Sequence, residues 1–166
     1  DANVKGYKLT DGSIVNLNLV DTAGQEKYKS IVLSYYSKAD CCLLVYDIAS
    51  RKSFESIRDY YNPNIATNCQ KDIKVILLGN KTDLEEQREI SSVEARQFAL
   101  ENDYNFIEAS CLKNSNVANA FATLIELANR DSIKNNKNEN NNLVITNNNN
   151  NAKSKSKCGG NKSNTS

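Results

Sequence analysis

The run Lys74-Val75-Ile76-Leu77-Leu78-Gly79-Asn80-Lys81-Thr82-Asp83 passes without interruption from apolar side chains to a polar, turn-forming end. An unbroken apolar run this short reads as a strand wetted on neither face, the kind found inside parallel sheets. Cys41–Tyr46 is a second strand of the same type. Between the two, a helical segment is predicted from about Ser53 into the Asn64 region, with Pro63 ending or kinking it. Further on, Ser91 and Ser92 with Glu94 and Ala95 open a helix to Asn102. Asn105–Ala109 follows as a short strand and Ser115–Asn129 as an amphipathic helix. Strands alternating with helices specify an α/β fold, a mostly parallel sheet packed on both faces in three layers. In such sheets ligands bind beyond the carboxyl ends of the strands.

The N-terminal side reads as a hairpin. Val4–Thr10 and Ser13–Val20 flank Asp11-Gly12, a dipeptide suited to a tight turn with positive φ. Val15, Leu17 and Leu19 alternate with Asn16 and Asn18, which predicts a strand with one dry face. Asp21–Gln25 comes next, then a short helical stretch to Tyr36.

Composition divides the 166 residues unevenly. Of 26 asparagines, 13 fall in the last 36 residues, where Leu143–Ile145 is the only short run suited to a core. Residues 131–166 also carry six lysines against Asp131 and Glu139, which leaves residues 1–130 at −3 in a chain of net charge +1. The expectation is a mildly acidic globular domain over 1–130 and a disordered Asn/Lys-rich tail over 131–166, with no nucleic-acid partner.

Several classes are excluded. No apolar stretch approaches the length needed to span a bilayer, and no charged-then-apolar signal segment opens the chain. Five cysteines, odd in number and with Cys41 and Cys42 side by side, fit reduced cytoplasmic thiols better than a disulfide framework. Without histidine, catalysis through imidazole is excluded. Methionine is absent even at position 1, so a processed start or a fragment is expected.

Three motifs sit at predicted strand ends. In Asp21-Thr22-Ala23-Gly24-Gln25-Glu26 a carboxylate can hold Mg²⁺ through its water shell, and the glycine lets a backbone N–H approach a phosphate. The glutamine can orient a water by donating and accepting hydrogen bonds. An ordinary strand-to-helix turn explains the same residues. In Asn80-Lys81-Thr82-Asp83 the aspartate can accept two parallel donors from a purine, the Lys81 stem can cover the ring, and Asn80 can tie loops together. A loop N-cap is the plain alternative. Glu108-Ala109-Ser110-Cys111 offers small residues whose backbone N–H groups can face a ligand carbonyl, or a simple exit from the core.

Taken together, in this order and at these separations, the motifs resemble those of the Ras superfamily of small GTPases. Asp21–Gln25 is similar to its DTAGQ switch II motif, Asn80–Asp83 to its NKxD guanine-specificity motif, and Ser110–Leu112 to its SAK motif. Within the superfamily the Rab branch fits best, through Lys27-Tyr28-Lys29-Ser30 and Ser34-Tyr35-Tyr36. The absence of an extra helix between Asp83 and Glu108 argues against the Rho branch. The resemblance covers about Val4 to Asn129.

It implies a small G protein fold of the P-loop NTPase type and a GTP/GDP-binding switch in vesicle traffic. It also implies a cofactor-binding set of Asp21, Thr22, Ala23, Gly24, Gln25, Asn80, Lys81, Asp83, Ser110, Cys111 and Leu112. In that set Asp21 contacts Mg²⁺ through water, Gly24 donates its N–H to the γ-phosphate, and Gln25 is the catalytic residue that orients water. Asn80, Lys81 and Asp83 select guanine, and the Ser110-Cys111 backbone faces the guanine carbonyl. Exchange factors, GTPase-activating proteins and effectors are the implied partners.

Four features depart from the family. Leu112 replaces its lysine, and Val20 stands where most Rabs have tryptophan. No GxxxxGK(S/T) occurs, so strand 1, the P-loop, helix 1 and switch I, about 40 residues, are expected to be missing. That strand runs, in the family, between those matching Ser13–Val20 and Cys41–Tyr46, so two strand edges are expected to stay unpaired. On this reading residues 1–166 alone neither fold stably nor hold GTP. Cooperative unfolding together with micromolar GTP affinity overturns that expectation. The alternative function is a non-catalytic remnant or interaction module without turnover. Finally, Cys158 fits neither a C-a-a-X box nor a paired-cysteine ending, so a cytoplasmic protein is expected, peripheral to a membrane only if lipidated.

Overall fold

The computed structural model describes residues 2–21 and 35–130. The tail 131–166, most of the helical stretch after Gln25, and Thr22 to Gln25 themselves lie outside the described residues.

Strands β1 (Ala2–Lys8) and β2 (Ile14–Val20) form the hairpin, antiparallel from Ala2 opposite Val20 to Lys8 opposite Ile14. Gly12 holds φ +87°, the left-handed backbone that suits glycine in a turn. Both arms are shorter at the turn than the sequence predicts. Leu9 closes the loop instead, donating its N–H to Ser13 O and accepting from Gly12 N, while Asp11 Oδ1 accepts from Ser13 N at 2.9 Å. The dry face of β2 is only half dry: Val15 and Leu17 are half-buried and Leu19 is exposed. The physical reason is pairing, since among the described residues β2 hydrogen-bonds to β1 alone.

The second sheet is the parallel one, in the order β3 (Cys41–Asp47), β4 (Lys74–Asn80), β5 (Asn105–Glu108). Among the described residues β2 and β3 do not pair. Side chains alternate across the sheet, so Leu44, Tyr46, Val75 and Leu77 share one face. They pack there on Phe54, Ile57, Ile65, Ile90, Ala95 and Ala99. The opposite face joins Leu43, Leu78 and Ile107 to Val117 and Ala120. Helices on both faces give the three expected layers.

Helix α1 (Arg51–Ser56) continues through a π-helical turn, Ile57–Tyr61, into α2 (Asn62–Asn68). Pro63 therefore does not end the run. It enters the first turn of α2, where a missing N–H is tolerated, and the π turn just before it supplies the irregularity. Phe54 of α1 stands edge-on between Tyr46 and Phe98, with centroids 5.1 and 5.5 Å away. Helix α3 (Ser92–Glu101) begins where predicted, with Ser91 Oγ accepting from Glu94 N. Helix α4, residues 117–130, starts two residues later than expected, because Ser115 is taken up in a β-bridge to Ser110.

Candidate functional site

The carboxyl ends of β4 and β5 bring two of the three motifs together. Asn80 is the last residue of β4, and Lys81 then turns the chain with a left-handed backbone, φ 67° and ψ 40°. Thr82 N donates to Ala109 O at 3.2 Å, which fixes the first loop against the end of β5. Thr82–Gln87 then winds as a 3₁₀ turn.

The second loop is built around Ser110, which is fully buried. Its backbone exchanges hydrogen bonds with Ser115, at 3.0 and 2.9 Å. The closure between them uses left-handed Asn114, and left-handed Asn116 follows it; asparagine tolerates that conformation better than most residues. Ser110 Oγ accepts from Lys113 N and donates to Asp83 Oδ1. Asn80 Oδ1 accepts the Cys111 N–H at 3.2 Å. None of these side chains caps the 3₁₀ turn. They join loop to loop, leaving Asp83 Oδ2 without a hydrogen bond among the described residues.

Asp21 is exposed at the end of β2, and no hydrogen bond or ion pair among the described residues links it to the other two motifs. A lone exposed carboxylate fits a water-mediated contact to Mg²⁺, an ion that keeps several waters and takes one or two carboxylates plus phosphate oxygens. Leu112 is 83% exposed, so its side chain is available to a ligand and contributes nothing to the core.

A sequence model of the Ras family matches residues 1–130. The chain belongs to the Ras family. Ras-related protein Rab-11B of Dictyostelium discoideum is 42% identical over 125 residues, which cover 75% of this chain and 56% of that protein. Ras-related protein Rab-8A of Bos taurus is 39% identical over 124 residues, 75% of this chain and 59% of its own length. Ras-related protein Rab-4B of Homo sapiens is 44% identical over 110 residues, 66% of this chain and 51% of its own length. This Ras-family chain therefore lies in the Rab branch, and it spans little more than half the length of these relatives.

One residue of this Ras-family site is missing from the sequence-based set. Asp47 closes β3 directly opposite Asn80, and its Oδ2 accepts from Lys81 Nζ at 2.7 Å. Its Oδ1 accepts from Ala49 N at 2.9 Å, and its own N–H donates to Ser53 Oγ at 3.0 Å. Partial burial works against the charged form of Asp47, but Lys81 and the Ala49 N–H outweigh it and hold the carboxyl below its usual range. Lys81 is raised, chiefly by its hydrogen bond to Asp47. The signal that could have found Asp47 was its place, an acidic residue ending a buried parallel strand on the ligand edge of the sheet.

Proposed function

We propose that this chain is the base-reading part of a Rab-like GTP/GDP switch in intracellular vesicle traffic. The observation that carries the reading is Asp83, aimed by a fully buried serine from the neighbouring strand end. Ser110 Oγ takes one lone pair of Oδ1. The remaining lone pairs of the two oxygens accept the ring N–H and exocyclic amine of guanine as a fork. Adenine presents an acceptor where guanine presents the ring N–H, so it repels the carboxylate and is rejected.

Ser110 N–H is committed to Ser115, so the donor to the guanine carbonyl is the Cys111 N–H, now held by Asn80 Oδ1. The Lys81 stem covers one face of the ring, and Leu112 is available to the other. The rest of the switch follows the family: Asp21 holds Mg²⁺ through water, Gly24 donates to the γ-phosphate and Gln25 orients the attacking water. Exchange factors, GTPase-activating proteins and effectors are its partners, and the cytoplasm is its compartment. The Rab relatives support the switch reading.

The test compares GDP with inosine diphosphate, which lacks the exocyclic amine, by amide NMR shifts at 80–83 and 110–113 of the full chain. Binding is expected to be weaker than micromolar in absolute terms, with GDP about 10-fold tighter than inosine diphosphate or more, the worth of one hydrogen bond to a charged group. Asp83→Ala is expected to erase the difference. Equal binding of the two nucleotides by the unsubstituted chain defeats the reading.

A further inference from the structure

Two carboxylates bear on Lys81. It is paired with Asp47 at 2.7 Å, and the negative charge of Asp83 also acts on it. An ammonium resting on Asp83 competes with the purine donors for its oxygens, one of which Ser110 already engages, and offsets the charge that makes them strong acceptors. Which carboxylate keeps the ammonium therefore decides how well Asp83 receives the base.

We infer that Asp47 is a positioning residue for base recognition, holding the Lys81 ammonium at the end of β3 and thereby keeping it off Asp83. The inference rests on the guanine-site reading above and names a residue that governs it. Three features of the structure carry it.

Asp47 is held by contacts that do not involve Lys81. Its N–H is tied to Ser53 Oγ and its Oδ1 to Ala49 N, while Oδ2 receives the ammonium. It is also in register with Asn80, the residue just before Lys81, so the anchor point is set by the ladder itself. The Ile48 N–H reinforces that register by donating to Asn80 O at 3.0 Å. Lys81 in turn holds a left-handed backbone that a β-carbon disfavours. Such a conformation persists where the surroundings determine it, and the ion pair is one of the contacts that do so.

The stem consequently runs from the end of β4 to the end of β3, with the Lys81 side chain 52% exposed against 22% for Asp47. A lysine free to rotate would lose more freedom on covering a ring than one already laid along the edge. Asp47 thus fixes the wall and keeps the reader vacant, although it need not touch the base.

The test uses the full chain, Asp47→Asn, Lys81→Met and the double variant. Without nucleotide, the Asp83 carboxyl is titrated through its ¹³C resonance. In Asp47→Asn its midpoint is expected to fall, as the released ammonium moves to Asp83, and in the double variant to stay where the unsubstituted chain has it. GDP affinity is expected to drop about 10-fold in Asp47→Asn, with no further drop when the same change is made in Lys81→Met. Asp47→Glu, which keeps the charge, is expected to recover part of the loss.

An equal GDP loss in both backgrounds overturns the proposal, since Asp47 would then act only by holding Ser53 and Ala49. An unmoved Asp83 midpoint overturns it too. If the unsubstituted chain shows no guanine preference, the base-site reading fails, and the nucleotide-free titration alone decides whether Asp47 governs Lys81.

Discussion

The Tyr46 hydroxyl oxygen lies 2.8 Å from the point where a β-carbon on Gly79 would stand. Tyr46 and Gly79 are paired in register across β3 and β4, and Glu108 is paired with Gly79 from β5. The phenol ring thus lies over the glycine toward Glu108, whose Cγ is also 3.3 Å from that point. Gly79 is one residue before Asn80, so the absence of a side chain there lets the sheet close directly beneath the site.

Gly79→Ala is expected to lower stability by about 1–3 kcal/mol, the usual consequence of overfilling a packed interior. Tyr46→Phe in the same chain should recover part of it, because the ring carbon at 3.0 Å remains. Alone, Tyr46→Phe should be neutral or stabilising, since the buried hydroxyl has no partner among the described residues. Urea midpoints of the four chains check all three statements. Tyr46→Phe alone losing more than Gly79→Ala would refute the packing account.

Arg88 fastens the same sheet end from above. Its guanidinium donates to both oxygens of Glu85, to Glu108 Oε1 at 2.7 Å and to Ile90 O at 3.0 Å, with only 15% of its side chain exposed. Arg88→Met keeps most of the stem and strands the half-buried Glu108 carboxylate. A loss of about 2–4 kcal/mol is expected, partly restored by Glu108→Gln, which removes the unpaired charge. Urea unfolding measures both, and an effect under half of that range would mean the pair is solvent-screened.

Ser110→Ala removes a fully buried hydroxyl that serves both Asp83 and Lys113. About 1–3 kcal/mol of stability should go with it. Guanine preference over hypoxanthine should shrink as well, because Asp83 loses its orientation. Calorimetry with the two diphosphates reads the second effect. Unchanged discrimination would show that Asp83 is held by something other than Ser110.

Alkaline pH should weaken the parallel-sheet core. Burial pushes the Cys42 thiol from 9.0 up to about 12, with Cys69 and Cys41 adding to it. Burial likewise pushes the Tyr36 phenol from 10.0 to about 12, with Cys42 and Tyr61 contributing. Folded chains therefore keep protons that unfolded chains release. The stabilisation is complete below the unfolded values and is lost as pH climbs through the window from 9.0 to about 12. Urea midpoints should fall steadily across that window, and less steeply in Cys42→Ala. A flat profile would exclude the effect.

Hydrogen exchange should separate the two sheets. Among the described residues the hairpin β1–β2 pairs only with itself, and in β2 Val15 and Leu17 are half-buried while Ile14 and Leu19 are exposed, whereas β4 is buried from Val75 to Gly79 between β3 and β5. Two strands alone are marginally stable in water. Amides of β2 are expected to exchange orders of magnitude faster than those of Ile76 and Leu77. Equal protection would mean that the hairpin shares the core's cooperativity.

Much of this was legible beforehand where the cause is local. The apolar run before Asn80 reads as a buried strand because every side chain in it needs cover, and Ser91 reads as a cap because its oxygen meets an N–H three residues away. Pro63 misleads for the opposite reason. A proline is locally a breaker, and only the π turn ahead of it, packed through Ile57 onto the sheet, lets the helical run continue to Asn68. Leu19 misleads too, since alternation says which face is dry only when something covers that face.

The site divides along the same line. Sequence by itself determined the family and the buried strands, and singled out Asn80, Asp83 and Ser110 as candidates, because motif chemistry and strand periodicity are carried by neighbours along the chain. Tertiary structure alone decided that Ser110 aims Asp83, that Asn80 holds the Cys111 amide, and that Asp47 owns the Lys81 ammonium. Those pairs are 27, 31 and 34 residues apart, and the parallel register is what brings them within hydrogen-bonding distance.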